Sequence, residues 1–457
     1  MTTGGPCAKI AVIFMRKNKF RLSVWQILAL GYLIAILIGS ALLMLPFATV
    51  EGERTSYIGA LFTATSATCV TGLSPYITGT HWTLYGQIVI LLLIQFGGLG
   101  FMTFVSSIIM VFKREMGLGS RRALMTSAGS EKFFGLKHLV RSILIGSLVF
   151  ETLGALLLGI QFVQDYGWGD GIYFAVFHSV SAFCNAGFDL LGGLSLVSYA
   201  TNPLVSLTIC GLIILGGLGF CVWGDIIRCR FCFKKFQLNT KVILITSALL
   251  IFIPTFMYLG FEWNASAAGY NFWEKLLLSF FNAVTPRTAG FYTTDPAKLS
   301  DSGYLLTVVL MFIGGSSGST AGGIKVGTFA VIAMGMIGVF RGVRDINIGK
   351  KRIESTLISQ ALAILAACLS LVLIATLAIC AIEPGAGFQA VVYECVSAIG
   401  TVGLSMSLTP NLSAYSLVIL MIMMYAGRVG ILTLALALAK KRKTPDTRYP
   451  VDTLLIG

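Results

Sequence analysis

Four short segments of the chain end on a glycine in nearly the same setting. They read FTATSATCVTGLS (62–74), FHSVSAFCNAGFD (177–189), FFNAVTPRTAGFY (280–292) and VYECVSAIGTVGLS (392–405). Aligned there, Gly72, Gly187, Gly290 and Gly403 fall in register, followed by Leu73, Phe188, Phe291 and Leu404. The two positions before the glycine vary: Val70 and Thr71, Asn185 and Ala186, Thr288 and Ala289, Thr401 and Val402. A metal site made of side chains would show the reverse pattern. A constant glycine with variable neighbours is what backbone carbonyls acting as ligands require, because glycine takes the needed backbone angles at no steric cost. The fourth copy, GTVGL (400–404), also matches part of the loop that replaces water around potassium in selectivity filters. The chemistry expected of these residues is coordination of a dehydrated cation by main-chain oxygens. No cofactor bound by the chain is expected.

Such segments need elements to hold them at membrane depth. Glycine-to-glycine spacings of 115, 103 and 113 residues mark an internal repeat. Each copy has one plan: an apolar span, a half-helix of about 12 residues that is too short to cross, the glycine, and a second span. Spans are expected near 24–46, 86–112, 138–161, 204–228, 241–260, 304–340, 356–382 and 414–439. The predicted fold is an all-α membrane protein, a single-chain pseudo-tetramer of four helix–pore-loop–helix repeats with eight transmembrane helices, like a potassium channel. Non-helical backbone inside a bilayer is tolerated only when buried or lining a wet cavity. Four such segments around one axis would satisfy that together. Each half-helix would also aim its partly negative C-terminal end at the axis, which favours a cation. The expected divisions are an N-terminus (1–23), repeat 1 (24–112), repeat 2 with its preceding linker (113–228), repeat 3 (229–340), repeat 4 (341–439) and a tail (440–457).

Composition agrees with this plan. The 457 residues are 56% hydrophobic and only 11% charged, against about 25% charged in ordinary soluble domains. The net charge of +14 is informative once placed: 27 of the 33 Lys and Arg residues fall at the N-terminus, in 113–141, 228–241 and 341–352, and at the C-terminus. Arg54, Lys275, Arg287 and Lys298 fall on the other side. The positive-inside rule then predicts a multi-pass protein of the cell membrane with both termini cytoplasmic. The basic balance needs no nucleic acid to explain it. Attraction of the basic loops to anionic lipid is also expected.

Two features point to a gate. The third inner span carries Gly314, Gly315, Ser316, Ser317, Gly318, Ser319, Thr320, Ala321, Gly322 and Gly323, a composition with poor helical preference. It reads as an intramembrane loop, ending at Lys325, which either anchors the loop or snorkels toward the basic side. Arg428, in GRVGI (427–431), replaces the second glycine of the GGLGF element found at 97–101 and 216–220. A mid-membrane arginine is a functional residue by default, unless it pairs with a buried acid, for which Glu151 is the candidate.

Enzyme chemistry finds little support. GWGD (167–170) matches a membrane aspartyl-protease pattern, but Asp170 falls in a loop without a partner aspartate in a span. His81, His138 and His178 are too scattered for a zinc peptidase, and the CxxC of Cys229 and Cys232 stands alone. Neither GxGxxG nor a Walker A pattern occurs.

From about residue 24 onward the chain resembles the membrane subunits of the Trk/Ktr/HKT superfamily of potassium transporters, and in length and plan the KtrB type. The four glycine segments, VTPRTAGF (284–291), GGSSGSTAGGIK (314–325) and YAGRVG (425–430) carry the resemblance. It implies gated potassium uptake, with 314–325 as the gate and Arg428 beside it in the permeation path. It also implies a homodimer above a cytosolic, nucleotide-binding regulatory ring of the KtrA/TrkA type. A sodium-coupled or sodium-conducting transporter on the same scaffold is the alternative, and sodium as an activator stays open.

Overall fold

In the computed structural model, residues 23–51, 55–100, 103, 136–342, 347–348, 351–352 and 354–438 are described. The expected N-terminal arm, most of the 113–141 linker and the 440–457 tail lie outside the described residues. The regular structure of the described residues is helical apart from a two-residue antiparallel ladder, Asn347–Ile348 against Lys351–Arg352, and two isolated bridges, Thr49 with Trp82 and Ile313 with Ile324.

The order of elements repeats four times as long helix, short helix, inner helix. The first set is α1 (Val24–Leu43), α2 (Tyr57–Cys69) and α3 (Leu84–Leu99). The second begins with α4, a 48-residue stretch (Leu136–Phe183) that Gly167 breaks with φ 79° and ψ 175°, so that a long and a short helix meet there. It continues with α5 (Pro203–Leu218) and α6 (Phe220–Arg228). The third holds α7 (Leu238–Phe261), α8 (Phe272–Val284), α9 (Asp301–Phe312) and α10 (Val326–Phe340). The fourth holds α11 (Ser355–Ile382), α12 (Phe388–Gly400), α13 (Ala414–Val429) and α14 (Ile431–Leu438). Starts are fixed by polar residues that take up orphan N–H groups: Ser23, Ser56, Thr83, Asn202 and Ser300 each accept from the first turn of their helix.

Among the described residues four helices are long and apolar enough to cross a membrane, or six if each bent pair counts as one span. Large apolar side chains such as Leu148, Leu156, Phe252, Phe256 and Leu373 stay exposed on them, as lipid contact requires. Phe177, Phe183, Phe188, Phe281 and Phe291 are buried at the centre, behind the glycine segments.

The inner helices depart from the expected straight spans. Gly219 turns α5 into α6 through 91°, and Gly430 turns α13 into α14 through 92°. Gly100 ends α3 with φ 83°, and residues 313–325 interrupt the third inner helix without helical structure. A glycine or the 313–325 segment therefore breaks every inner helix. Only the third interruption was visible as composition. At the opposite end, carboxylates tie long helices to inner ones: Glu262 accepts the Ser300 N–H at 3.1 Å, and Glu383 the Ser413 N–H at 2.8 Å.

Candidate functional site

After each short helix the chain makes the same left-handed turn. The residue two places before the glycine, Val70, Asn185, Thr288 or Thr401, adopts a left-handed backbone, with φ of 57°, 59°, 70° and 51°. Non-glycine residues there carry a strain of about 1 kcal/mol or more, which persists only where the surroundings impose it. Main-chain bonds impose it here. The N–H one place before the glycine reaches back five residues in three copies: Thr71 to Ser66 O at 2.8 Å, Ala186 to Ser181 O at 2.8 Å, and Val402 to Ser397 O at 2.9 Å. This is a Schellman-type close.

Hydroxyls then brace the segment. Ser66 and Ser397 each accept the N–H of their glycine, Gly72 and Gly403, at 3.0 Å. Ser181 donates to Phe188 O at 2.8 Å. In the third copy Val284 occupies this place and cannot help; the neighbouring Thr285 donates to Phe291 O instead. Side chains are not mere packing, since Asn185 Nδ2 donates to Thr288 Oγ1 at 3.1 Å, joining two copies.

The four glycines meet. A Cβ built on Gly72 would lie 2.5 Å from Ala186 O, one on Gly187 2.8 Å from Ala289 O, and one on Gly290 2.6 Å from Val402 O. One on Gly403 would overlap Thr71 O. The contacts close on themselves in chain order, and each glycine has φ between 70° and 98°. Among the described residues, none of the carbonyls of Thr71, Ala186, Ala289 and Val402 accepts a protein hydrogen bond. Buried carbonyls are ordinarily paired, so these four are available to a ligand. All four glycines line one cavity of about 520 Å³, together with Ser405, Tyr292 and Asp189. Asp189 is the sole carboxylate among its lining residues, and burial pushes its carboxyl up to about 6 against the pull of the Leu191 N–H.

On the other side of the ring lies the 313–325 segment. Gly314 packs against Thr288, and Gly323 against the carbonyl of Gly400. The segment is sewn to the second copy: Ser316 N–H donates to Gly217 O at 2.9 Å, Thr320 N–H to Gly216 O at 3.3 Å, and Phe220 N–H to Gly318 O at 2.9 Å. Two cations hold its far half. Lys325 Nζ donates to Ala321 O at 2.8 Å, so it anchors the loop. Arg428 donates to Thr320 O and, across the molecule, to Gly97 O at the end of α3. Glu151 is not its partner; that carboxylate accepts from Gln95 Nε2 at 3.0 Å. Lys325, Arg428, Ser317 and Gly318 line a second cavity of about 390 Å³.

The GGLGF element is thereby explained. Its first glycine, Gly97 or Gly216, and the matching Gly427 leave no room for a Cβ against the carbonyls of Thr68, Phe183 and Ile399, the last turns of the short helices. Its last glycine supplies the break. Sequence reasoning missed Thr285, the breaks at Gly100, Gly219 and Gly430, and Arg287. Expected in an outer loop, Arg287 is 7% exposed and donates to Ser247 Oγ on α7 at 3.2 Å, because its segment dips to the level of the ring.

Comparison with known proteins decides the family. The sequence profile of the TrkH cation transport proteins matches residues 26–447. The chain belongs to the TrkH cation transport protein family. It is 40% identical over 97% of its length to the potassium/sodium uptake protein NtpJ of Enterococcus hirae, covering all of that protein. It is 41% identical over 94% of its length to the Ktr system potassium uptake protein B of Bacillus subtilis, covering 96% of it. The crystal structure of the TrkH potassium transporter from Vibrio parahaemolyticus superposes with a TM-score of 0.74 at 18% identity, covering 95% of this chain and 89% of that one. The chain is thus a multi-pass membrane protein of a cation transporter family, which is not a family of enzymes.

Proposed function

We propose that this protein is the ion-translocating subunit of a potassium uptake system, a single-chain pseudo-tetramer of eight spans in which the four glycine segments form the selectivity filter. The observation that carries the reading is the closed ring of four glycines with four main-chain carbonyls left without protein donors. Potassium sheds water at such a ring and is re-coordinated by Thr71, Ala186, Ala289 and Val402 oxygens. The short helices point their C-terminal ends at it, which lowers the energy of a cation there. Relatives at 40% identity and above are named for potassium or potassium/sodium uptake.

Residues 314–323 form the gate, held shut by Lys325 and Arg428. Both cations bond carbonyls of the loop, and charge-assisted bonds of this kind are roughly twice as strong as neutral ones. Opening requires those bonds to break or move. Uptake is passive and runs down the electrochemical gradient. We further propose cytoplasmic termini, a homodimer, and regulation by a cytosolic nucleotide-binding partner. The last is in keeping with the relative named as part of a Ktr system. Sodium conduction is the second reading, favoured by the potassium/sodium name of the Enterococcus hirae relative.

The test is flux through the purified protein in liposomes, comparing potassium, rubidium and sodium. Potassium and rubidium flux well above sodium is expected. Sodium flux equal to or above potassium would overturn the potassium reading in favour of the second.

A further inference from the structure

The residue nine places before each ring glycine differs among the repeats: Thr63, His178, Phe281 and Glu394. Two of these reach out of their own helix and hold the loop that follows the glycine. Glu394 is fully buried in α12; Oε1 accepts the Ser405 hydroxyl, and Oε2 accepts that of Thr409 at 3.0 Å. His178 is fully buried at the end of α4, with its Nδ1 2.7 Å from Phe174 O. A carbonyl only accepts, so Nδ1 carries the proton and Nε2 is the acceptor. Nε2 takes the Leu190 N–H at 3.4 Å. Thr63 instead donates to Gly59 O in its own helix, at 2.9 Å. Phe281 has nothing to offer.

Repeat 1 supplies an internal control. Ser74 and Ser405 both sit two places after their glycine, and each hydroxyl accepts an N–H two residues on, from Tyr76 at 3.2 Å and from Ser407 at 3.0 Å. Their protons go different ways. That of Ser74 stays in the loop, on Tyr76 O at 2.7 Å, while that of Ser405 goes to Glu394 behind it. The same turn is self-contained in repeat 1 and anchored to a helix in repeat 4. Because the ring closes in chain order, the braced repeats 2 and 4 face each other across it.

We propose that Glu394 and His178 are specificity-determining positioning residues, holding the loops on two opposite sides of the ring so that its oxygens cannot close around an ion smaller than potassium. Neither touches the ion. The inference rests on the potassium reading above. The full-length protein in liposomes tests it, with Glu394→Gln, Ser405→Ala, the double variant, His178→Phe and Thr63→Ala.

Glu394→Gln and Ser405→Ala should each lower the potassium-to-sodium flux ratio roughly tenfold, the scale of losing one charge-assisted hydrogen bond. The double variant should fall short of the product of the two single losses, because the two changes share the Ser405 bond while Glu394→Gln also alters the bond to Thr409. His178→Phe fills the aromatic pocket and should lower the ratio less. Thr63→Ala should leave it unchanged. Should Glu394→Gln fail to fold, Ser405→Ala removes only a hydroxyl and carries the test alone. Wild-type ratios in Ser405→Ala and in folded Glu394→Gln would overturn the proposal, as would an equal loss in Thr63→Ala. A wild-type protein that passes no potassium would overturn the potassium reading instead, so the two failures are distinct.

Discussion

The ring level and the level of the inner-helix breaks belong to the same four repeats and behave differently. At the ring, every copy does one thing: a left-handed residue, a glycine two places on, and a free carbonyl between them. Below it the third and fourth copies depart from the other two. Gly100, Gly219 and Gly430 break their helices with nearly the same backbone, φ of 83°, 95° and 90°, whereas the third copy opens into a loop. Even Arg428 stands where the first two copies have a glycine. In the proposed filter, coordination needs equivalence, because one ion would see all four copies at once. Control needs the opposite, because a loop from one copy and a cation from another suffice to block a path.

Substitutions can test that contrast. The largest effect belongs to the ring: Gly403→Ser puts a side chain against Thr71 O at φ 90°. It should cut potassium flux about a hundredfold, the cost of close to 3 kcal/mol, or collapse potassium-over-sodium discrimination. Unaltered flux and selectivity would remove this loop from the ring. Next comes the level below. Arg428→Gln frees Thr320 O and Gly97 O, and should raise liposome flux roughly tenfold, the worth of one or two charge-assisted bonds. Flux at the wild-type level would sink the role of Arg428 as a latch.

A smaller effect sharpens the equivalence itself. Ser66→Ala and Ser397→Ala each delete one bond to a glycine N–H, so each should lower unfolding free energy by about 1 kcal/mol and by the same amount in thermal melts. Unequal losses would mean that copies 1 and 4 are alike in geometry only. The smallest concerns Asp189 at the mouth. Its carboxyl is held near 6, so the group is charged above that pH and neutral below. Apparent affinity for potassium should weaken two- to threefold, roughly the pull of one fixed charge, as the outside pH falls from about 7 to 5. Asp189→Asn should show the weaker affinity throughout and no such pH dependence.

The ring was legible because four glycines in register announce a backbone task that no other residue performs. Its bracing was half legible. Ser66, Ser181 and Ser397 share a register, but in copy 3 the hydroxyl has moved by one residue to Thr285, where an alignment on Val284 does not see it. The breaks at Gly100, Gly219 and Gly430 stayed hidden because glycine is common inside membrane helices as a packing residue, and the first glycine of each element does pack. Arg428 was visible as an oddity, yet its partners are main-chain carbonyls, which every residue carries and no sequence distinguishes. For the same reason the side-chain partner sought for it, Glu151, was the wrong kind of group.

The closure of the ring also governs how the molecule is made. Gly403 meets the carbonyl of Thr71, and Arg428 bonds Gly97 across 331 positions of chain. A protein synthesised from its N-terminus therefore inserts three quarters of the ring before the last quarter exists. During that interval Thr71 O has no Gly403 beside it, and the carbonyl of Gly97 has no Arg428. Joining first and last repeats is a contact of the longest range this chain offers, the kind that forms slowly. A chain truncated before the final repeat would therefore leave the ring an open arc, without the partners of Thr71 O and Gly97 O.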